Sequence, residues 1–493
     1  RASSGPCGLW FHHTLQRHKP RGRGGPPPAG GGGGGGTGGG GGGFVPINLD
    51  VGLHVHYVQE IFAGKVLYHD LFEINPPLIV YLTMVPVWFA SVLDCSPLLM
   101  MHFANFFVVG LACFLSWGLL RESTSDSTVL SIVAHAMGFA AFVFPFTMFF
   151  GEFGQKEHLF IWLSMPYVLQ HLLPRDSVST SRRLLIGVMA GFGCALKPFF
   201  VLLPLCLELV AVVRTKKVAT ILRVDLVVLI GLLLLYFASV LVFFPEYYET
   251  VIPLASVSHP ASYLGLEVVP YAIRLVTDDL SPLLPFVLLG LIAWKWLPER
   301  RLAALMLVCF AVLFVVAVIQ GKGWDYHSYP AAVFGIVFSA LYFCGIWRAY
   351  RAKQISDILD RFFLAIALLL VVPVSSLLIY RLWSLTSGHK AEFHYGISQF
   401  RSELAELRGE HVLYVHNTFF PVIPLTYELG FIFNPKVTFT NLLDGVDLYR
   451  QRTSALPPEK AEQQHKAIDY YLDSLEDYIH DNAPAVLIID QSK

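Results

Sequence analysis

The chain has 493 residues, 55% of them hydrophobic and 14% charged, with a net charge of -1 and a mean hydropathy of +0.57. An ordinary soluble domain carries about a quarter charged residues, and one soluble core cannot hide this much apolar surface. Without a basic excess to neutralise phosphates, nucleic-acid binding is excluded as well. The composition leaves an all-α polytopic membrane protein, because long apolar runs recur and strand-type alternation does not.

Residues 1–43 are Arg, Pro and Gly, ending in a glycine run broken by Thr37. Such a segment cannot offset its ordering entropy, so it reads as a disordered tail or an artefact of assembly. An outer loop with interfacial helices is expected over 44–97, a transmembrane bundle over 98–384, and a non-cytoplasmic α/β-like soluble region over 385–493. In that last region His411–His416 and Ala485–Asp490 predict short strands, and Glu459–Tyr478 predicts an acidic helix. The stop straight after a strand is what truncation would leave. The cysteines lie in or beside apolar runs, apart from Cys7, and suggest neither a disulfide framework nor a CxxC metal site.

Apolar runs fall near 76–93, 98–120, 128–150, 158–174, 184–213, 224–244, 281–298, 302–319, 330–347 and 361–383. Fifteen of the 21 basic residues between 50 and 384 fall to the cytoplasmic side when the runs are threaded by the positive-inside rule. That threading makes 184–213 enter and return as two short half-spans that turn at Lys197-Pro198, where proline breaks the helix. The run 76–93, with Pro76, Pro77 and Pro86, lies in the interface, and ten crossings result. Nearly all the chemically interesting polar segments then face the non-cytoplasmic side.

Four constellations stand out there. Asp50, Asp70 and Glu73 are carboxylates at a membrane surface, which suits either a general base or cation ligation on one reading, and helix capping on the other. Gly151 to His158 packs Glu152, Gln155, Lys156, Glu157 and His158 at a membrane border. Polar groups are costly there unless used or paired, and a Lys156–Glu152 or Lys156–Glu157 ion pair is the plainer account. Lys197 suits a phosphate as a compact point charge or anchors the hairpin by snorkelling. In Gln320 to Pro330, Trp324, Tyr326 and Tyr329 fit an aromatic belt, whereas Lys322 and His327 do not. The loop 245–280 covers a cleft or merely connects.

At these residues the chain resembles the GT-C superfamily of integral-membrane glycosyltransferases, in the branch of protein O-mannosyltransferases, the lipid A aminoarabinose transferase and dolichyl-phosphate-mannose-transferase-like proteins. Asp50 opens the first outer loop, and A-G-K-V-L-Y-H-D (Ala63 to Asp70) looks like the family's Gly-to-Tyr-x-Asp segment. Asn75-Pro76-Pro77, G-Q-K-E-H-L (Gly154 to Leu159), Lys197-Pro198 and Gly323 to His327 with Pro330 follow in order. The resemblance implies a GT-C-like bundle that transfers a sugar from a polyprenyl (dolichyl-type) phosphate donor, with inversion, to a hydroxyl on a glycan, lipid or protein. It also implies a multi-pass protein of a bacterial inner membrane with its site facing the periplasm.

On that mapping Asp50 is the base, assisted by Asp70 and Glu73. Lys197, Lys322, Lys156, His327 and Tyr326 hold the donor phosphate. Asn75, Glu152, Gln155, Glu157, His158 and Trp324 position substrate. No cofactor is required; a divalent metal is compatible with the mapping but not indicated, since Val51 follows Asp50 where some relatives place a second acid. The family places a transmembrane helix ahead of the first acid, where this chain has its glycine-rich tail, so a missing first helix is expected. The rival from another class is a secondary transporter or flippase of a lipid-linked or small anionic substrate, which predicts charges within spans and an internal repeat. Glu208 is the main ionisable residue inside a run, and no repeat is visible. A structural or assembly factor would leave the outer motifs scattered.

Overall fold

The computed structural model of the chain describes residues 49–147, 153–174, 177–218, 222–253, 272–273, 280, 283–320, 325–352, 411–415, 458–482 and 485–488. The tail over 1–43, the run 361–383, most of the loop 245–280, and Glu152, Lys322 and Trp324 lie outside those residues.

The apolar runs become helices whose ends follow from local chemistry. They begin with α1 (Leu49–Phe62), α2 (Leu78–Leu93) and α3 (Pro97–Ser123). Ser96 caps α3 through its side chain, with proline at the first position, where no amide hydrogen is missed. Next come α4 (Ser127–Phe142), capped by Asp126, and the short α5 (Phe144–Thr147). Pro145 sits at the break between them, so the expected run 128–150 is not one straight helix. Then α6 (Lys156–Gln170) and α7 (Thr180–Ala195) are joined to α8 (Leu202–Thr215) by a 3-10 turn, Pro198–Val201. Beyond these lie α9 (Val224–Phe243), α10 (Leu284–Ile292), α11 (Arg300–Gln320) and α12 (Tyr329–Arg351).

Five of the described helical stretches are long and apolar enough to cross a membrane: Pro97–Ser123, Pro198–Thr215, Val224–Phe243, Arg300–Gln320 and Tyr326–Arg351. The turn at Lys197-Pro198 falls where the sequence placed it, but the second limb, Pro198–Thr215, has the length of a full span rather than a half-span. Leu78–Leu93 and Ser127–Phe142 are shorter apolar helices. In the C-terminal region, α13 (Pro458–Asn482) separates β1 (Val412–Val415) from β2 (Ala485–Ile488). The two strands pair in parallel, Val412 opposite Ala485, which is the connection a helical crossover permits.

The bundle is built around α6, in which every residue but Leu163 is buried. Trp162 donates to the hydroxyl of Tyr329 at 2.9 Å, and Tyr329 donates to the carbonyl of Ala140 at 2.8 Å, so one chain of bonds ties α6 to α12 and α4. Phe160 stacks on Phe200 with ring centroids 3.9 Å apart, which fixes the hairpin tip against α6. At the far end, both guanidinium NH groups of Arg348 on α12 bind the Asp126 cap of α4.

Small residues let α7 and α9 approach closely. A Cβ on Gly187 would lie 2.5 Å from the carbonyl oxygen of Asp225, a backbone atom that cannot swing aside. Gly187→Ala is therefore expected to destabilise by about 1–2 kcal/mol, because overpacking outweighs the gain in helix propensity. Gly231→Ala, which meets nothing within 4 Å, should leave the unfolding temperature in detergent unchanged or slightly raised.

Candidate active site

Four segments distant in sequence meet at one end of the bundle: the start of α1, the start of α6, the α7–α8 turn and the end of α11. Gly154 makes the second of these possible. Its φ of +89° is left-handed, and a Cβ there would lie 2.1 Å from the Asn105 side-chain nitrogen. The chain can then turn sharply into α6, whose N-cap is Gln155, and deliver Lys156, Glu157 and His158 in its first turn.

Lys156 is almost wholly enclosed, with 3% of its side chain exposed, and its Nζ lies 3.5 Å from Oδ2 of Asp50, which is 36% exposed. Gln155 donates to the same carboxylate oxygen at 3.0 Å. Burial alone would raise the Asp50 pKa, but Lys156, His54, the Gln155 hydrogen bond and Lys197 outweigh it and bring the value to about 2. Asp50 is thus an ionised carboxylate with one face to the cleft. It lies in the first turn of α1 rather than at a cap position.

Glu73 is fully buried beside it. Its Oε2 lies 3.4 Å from Nε2 of His54, and the amide of Asn75 donates to its Oε1 at 2.7 Å. Burial opposes its ionisation too, yet His54, Lys156 and Asn75 hold it below the usual glutamate range. Tyr57 donates to the carbonyl of Phe72 and Tyr68 to that of Asn75 at 2.6 Å, so two phenols pin the loop that carries Glu73 and Asn75.

Lys197, in extended backbone just before Pro198, donates to Glu157 and, at 3.0 Å, to Oε1 of Gln320. Its ammonium also lies 5.5 Å from the ring centre of Tyr326, and Nε2 of His327 is 3.7 Å from the same Glu157 oxygen. Burial pushes the Lys197 ammonium below the ordinary lysine range despite Glu157. Oε2 of Glu157 and Nε2 of Gln320 are buried with no hydrogen-bond partner among the described residues, a costly state for polar groups that a ligand's own groups can relieve.

Of the two loop acids expected to pair with Lys156, Glu152 lies outside the described residues and Glu157 is held elsewhere. Lys156 bonds across the cleft to Asp50, and Glu157 serves Lys197 and His327 instead. His158 turns away: its ring Nε2–H donates to the Ala141 carbonyl at 3.1 Å, and the ring packs on Phe153 and Tyr329, a structural arrangement. Asp70 stands at the edge, its carboxylate accepting from the Val66 amide at 2.8 Å within the loop between α1 and α2 and facing His69. Asn75 supports Glu73. His54 and Gln320 were not singled out in the sequence. His54 follows Asp50 by four positions, which puts both on one helical face, and Gln320 is the polar residue that closes an apolar run. Among the described residues no three His, Cys, Asp or Glu side chains gather as metal ligands would.

No known family's sequence profile matches the chain, and no curated protein matches it significantly. Among solved structures it is similar to ArnT from Cupriavidus metallidurans bound to undecaprenyl phosphate, at 15% identity and a TM-score of 0.48, over 83% of this chain and 85% of that one. It is also similar to the archaeal oligosaccharyltransferase AglB from Archaeoglobus fulgidus in complex with an inhibitory peptide and a dolichol-phosphate. There the identity is 14% and the TM-score 0.39, with 69% of this chain and 51% of that one covered.

Because its pKa is depressed, the Asp50 charge contributes stability above the ordinary carboxylate range and loses that contribution as pH falls through about 2. Asp50→Asn should lower the unfolding temperature by the same amount throughout the neutral range, with the gap to wild type closing in increasingly acid buffer. Adding Lys156→Met should restore part of the loss, since the ammonium stranded by the first change is removed.

Proposed function

We propose that the protein is an inverting membrane glycosyltransferase that moves a sugar from a polyprenyl (dolichyl-type) phosphate to a hydroxyl on a glycan, lipid or protein acceptor. The observation that carries this reading is the partly exposed Asp50 carboxylate paired to enclosed Lys156, with Lys197 beside it, at the ends of helices of membrane length. A donor of this kind has an apolar tail for the bundle, a phosphate for the ammonium groups, and a sugar for the open cleft. The sequence resemblance to the GT-C superfamily points the same way.

In this reaction the bond between the anomeric carbon and the phosphate oxygen breaks, and the phosphate leaves with the electron pair. The acceptor oxygen bonds to the anomeric carbon from the opposite face, and its proton passes to Asp50. So weak a base takes the proton only once the acceptor oxygen has become electron-poor, late in the step. Donor phosphate that draws Lys156 to itself also frees Asp50 from its counter-ion and raises its basicity. Lys197 would exchange part of its bond to Glu157 for a phosphate oxygen, with His327 remaining beside that carboxylate. Lys322 is proposed as a further phosphate ligand, while Trp324 and Glu152 are proposed to position the sugar and acceptor. The positive-inside threading supports a site on the non-cytoplasmic face, and the resemblance supports placing that face in the periplasm of a bacterial inner membrane.

Membranes supplied with labelled polyprenyl-phosphate sugars test the reading. Asp50→Asn should lower turnover by about 10²–10⁴-fold, the usual worth of a positioned base. Lys197→Met should act more on the KM for the donor. Wild-type turnover by Asp50→Asn would remove the proposed base. A flippase or transporter would instead carry the labelled lipid across vesicles with no new glycosidic bond.

A further inference from the structure

The end of the bundle remote from Asp50 carries a second buried polar cluster. Arg223, which precedes α9, donates to Asp225 at 2.9 Å and to Glu208 at 2.6 Å. The Tyr167 hydroxyl also donates to Glu208, Gln170 donates to Asp225 at 2.8 Å, and His171 lies 3.3 Å from Glu208. Asp225 and Oε1 of Glu208 are thereby held inward, while Oε2 of Glu208 is buried with no hydrogen-bond partner among the described residues. This network floors a cavity of about 460 Å³ between the end of α6, the last turns of α8 and the first turns of α11.

Four arginines rim the cavity: Arg183, Arg214, Arg300 and Arg301. Among the described residues no carboxylate lines it. Arg183 donates its Nε to the Val178 carbonyl at 3.1 Å, and Arg300 donates to the Lys295 carbonyl at 2.9 Å. Among the described residues Arg214 and Arg301 pair with no carboxylate. Arg300 and Arg301 also open α11, where the helix dipole disfavours cations. An anion at that spot would relieve the arginines and complete the helix terminus together.

The wall is apolar, formed by Leu207, Val210, Leu305 and Val308. Val210 is 45% exposed, on the face that α8 turns outward, so the cavity opens sideways along an apolar surface. Its depth follows from α11 itself. Arg300 and Gln320 are the two ends of one helix, about 30 Å apart at 1.5 Å per residue, the thickness of a bilayer's hydrocarbon. Gln320 belongs to the Asp50 end, so the arginine rim lies at head-group depth in the opposite leaflet.

We propose that this cavity binds an anionic phospholipid of that leaflet, its phosphate on the arginine rim and an acyl chain along the Val210 wall. A soluble phosphate shares the head-group chemistry but has no use for the wall. The inference does not depend on the reaction proposed at the other end.

The test uses the full-length, delipidated protein in a neutral detergent, with bound lipid counted by native mass spectrometry. Phosphatidylglycerol should be retained at least tenfold more tightly than phosphatidylcholine of the same chains. Arg214→Gln with Arg301→Gln should abolish that preference, whereas Lys216→Gln with Lys217→Gln, which removes the same charge beside the cavity, should keep it. Val210→Trp, which fills the wall without touching a charge, should also weaken retention and decides the matter if the arginine variant does not fold. Equal retention of the two lipids, a preference that survives both cavity variants, or displacement by equimolar inorganic phosphate would overturn the proposal.

Discussion

Two ammonium groups enclosed at the end of a membrane bundle set the terms for the rest of the structure. A lysine removed from water must be matched by negative charge or it destabilises the fold by several kcal/mol. Lys156 draws Asp50 on α1 to the start of α6, and Lys197 draws Glu157 to the α7–α8 turn. Each pair joins segments far apart in sequence, so the charges that assemble the cleft are also the groups proposed for its chemistry. Glu73 and His54 form a third pair behind them, and phenolic hydrogen bonds hold its loop.

Much of this was legible because membranes simplify the reading. Apolar length sets the helices, proline and glycine mark their breaks, and arginine placement sorts their ends. The Lys197-Pro198 turn was visible because a proline follows a polar residue inside a run too long for one crossing. The strand pair around α13 was visible from short β-branched runs flanking an acidic helix. Pairing was not legible. Lys156 has acids close in sequence, and only the three-dimensional path of the Gly154 turn decides that Asp50, more than a hundred positions away, takes it. The full length of Pro198–Thr215 depends on how neighbouring helices pack, which periodicity does not record. His158 was drawn into the site by its position in a polar motif, whereas a one-residue step around α6 turns it toward Ala141 and Tyr329.

The two ends of the bundle solve the same problem differently. At the Asp50 end, cations and carboxylates alternate and leave one carboxylate partly open. At the other end, Arg223 ties Glu208 and Asp225 together inside, while four further arginines stand around a cavity with no acid among its described lining residues. Neutralised charge suits a place where groups must rearrange during a reaction, and surplus positive charge suits one that holds an anion at rest.

Because α6 is sheathed by protein along nearly its whole length, it has no need to match the thickness of the surrounding lipid. The outer helices can tilt when the bilayer thins or swells, while the charged first turn of α6 keeps its depth relative to its partners. The charged cluster proposed for catalysis is thereby insulated from the mechanical state of the membrane, so changes in lipid chain length should alter how the outer helices sit well before they disturb the Asp50–Lys156 contact.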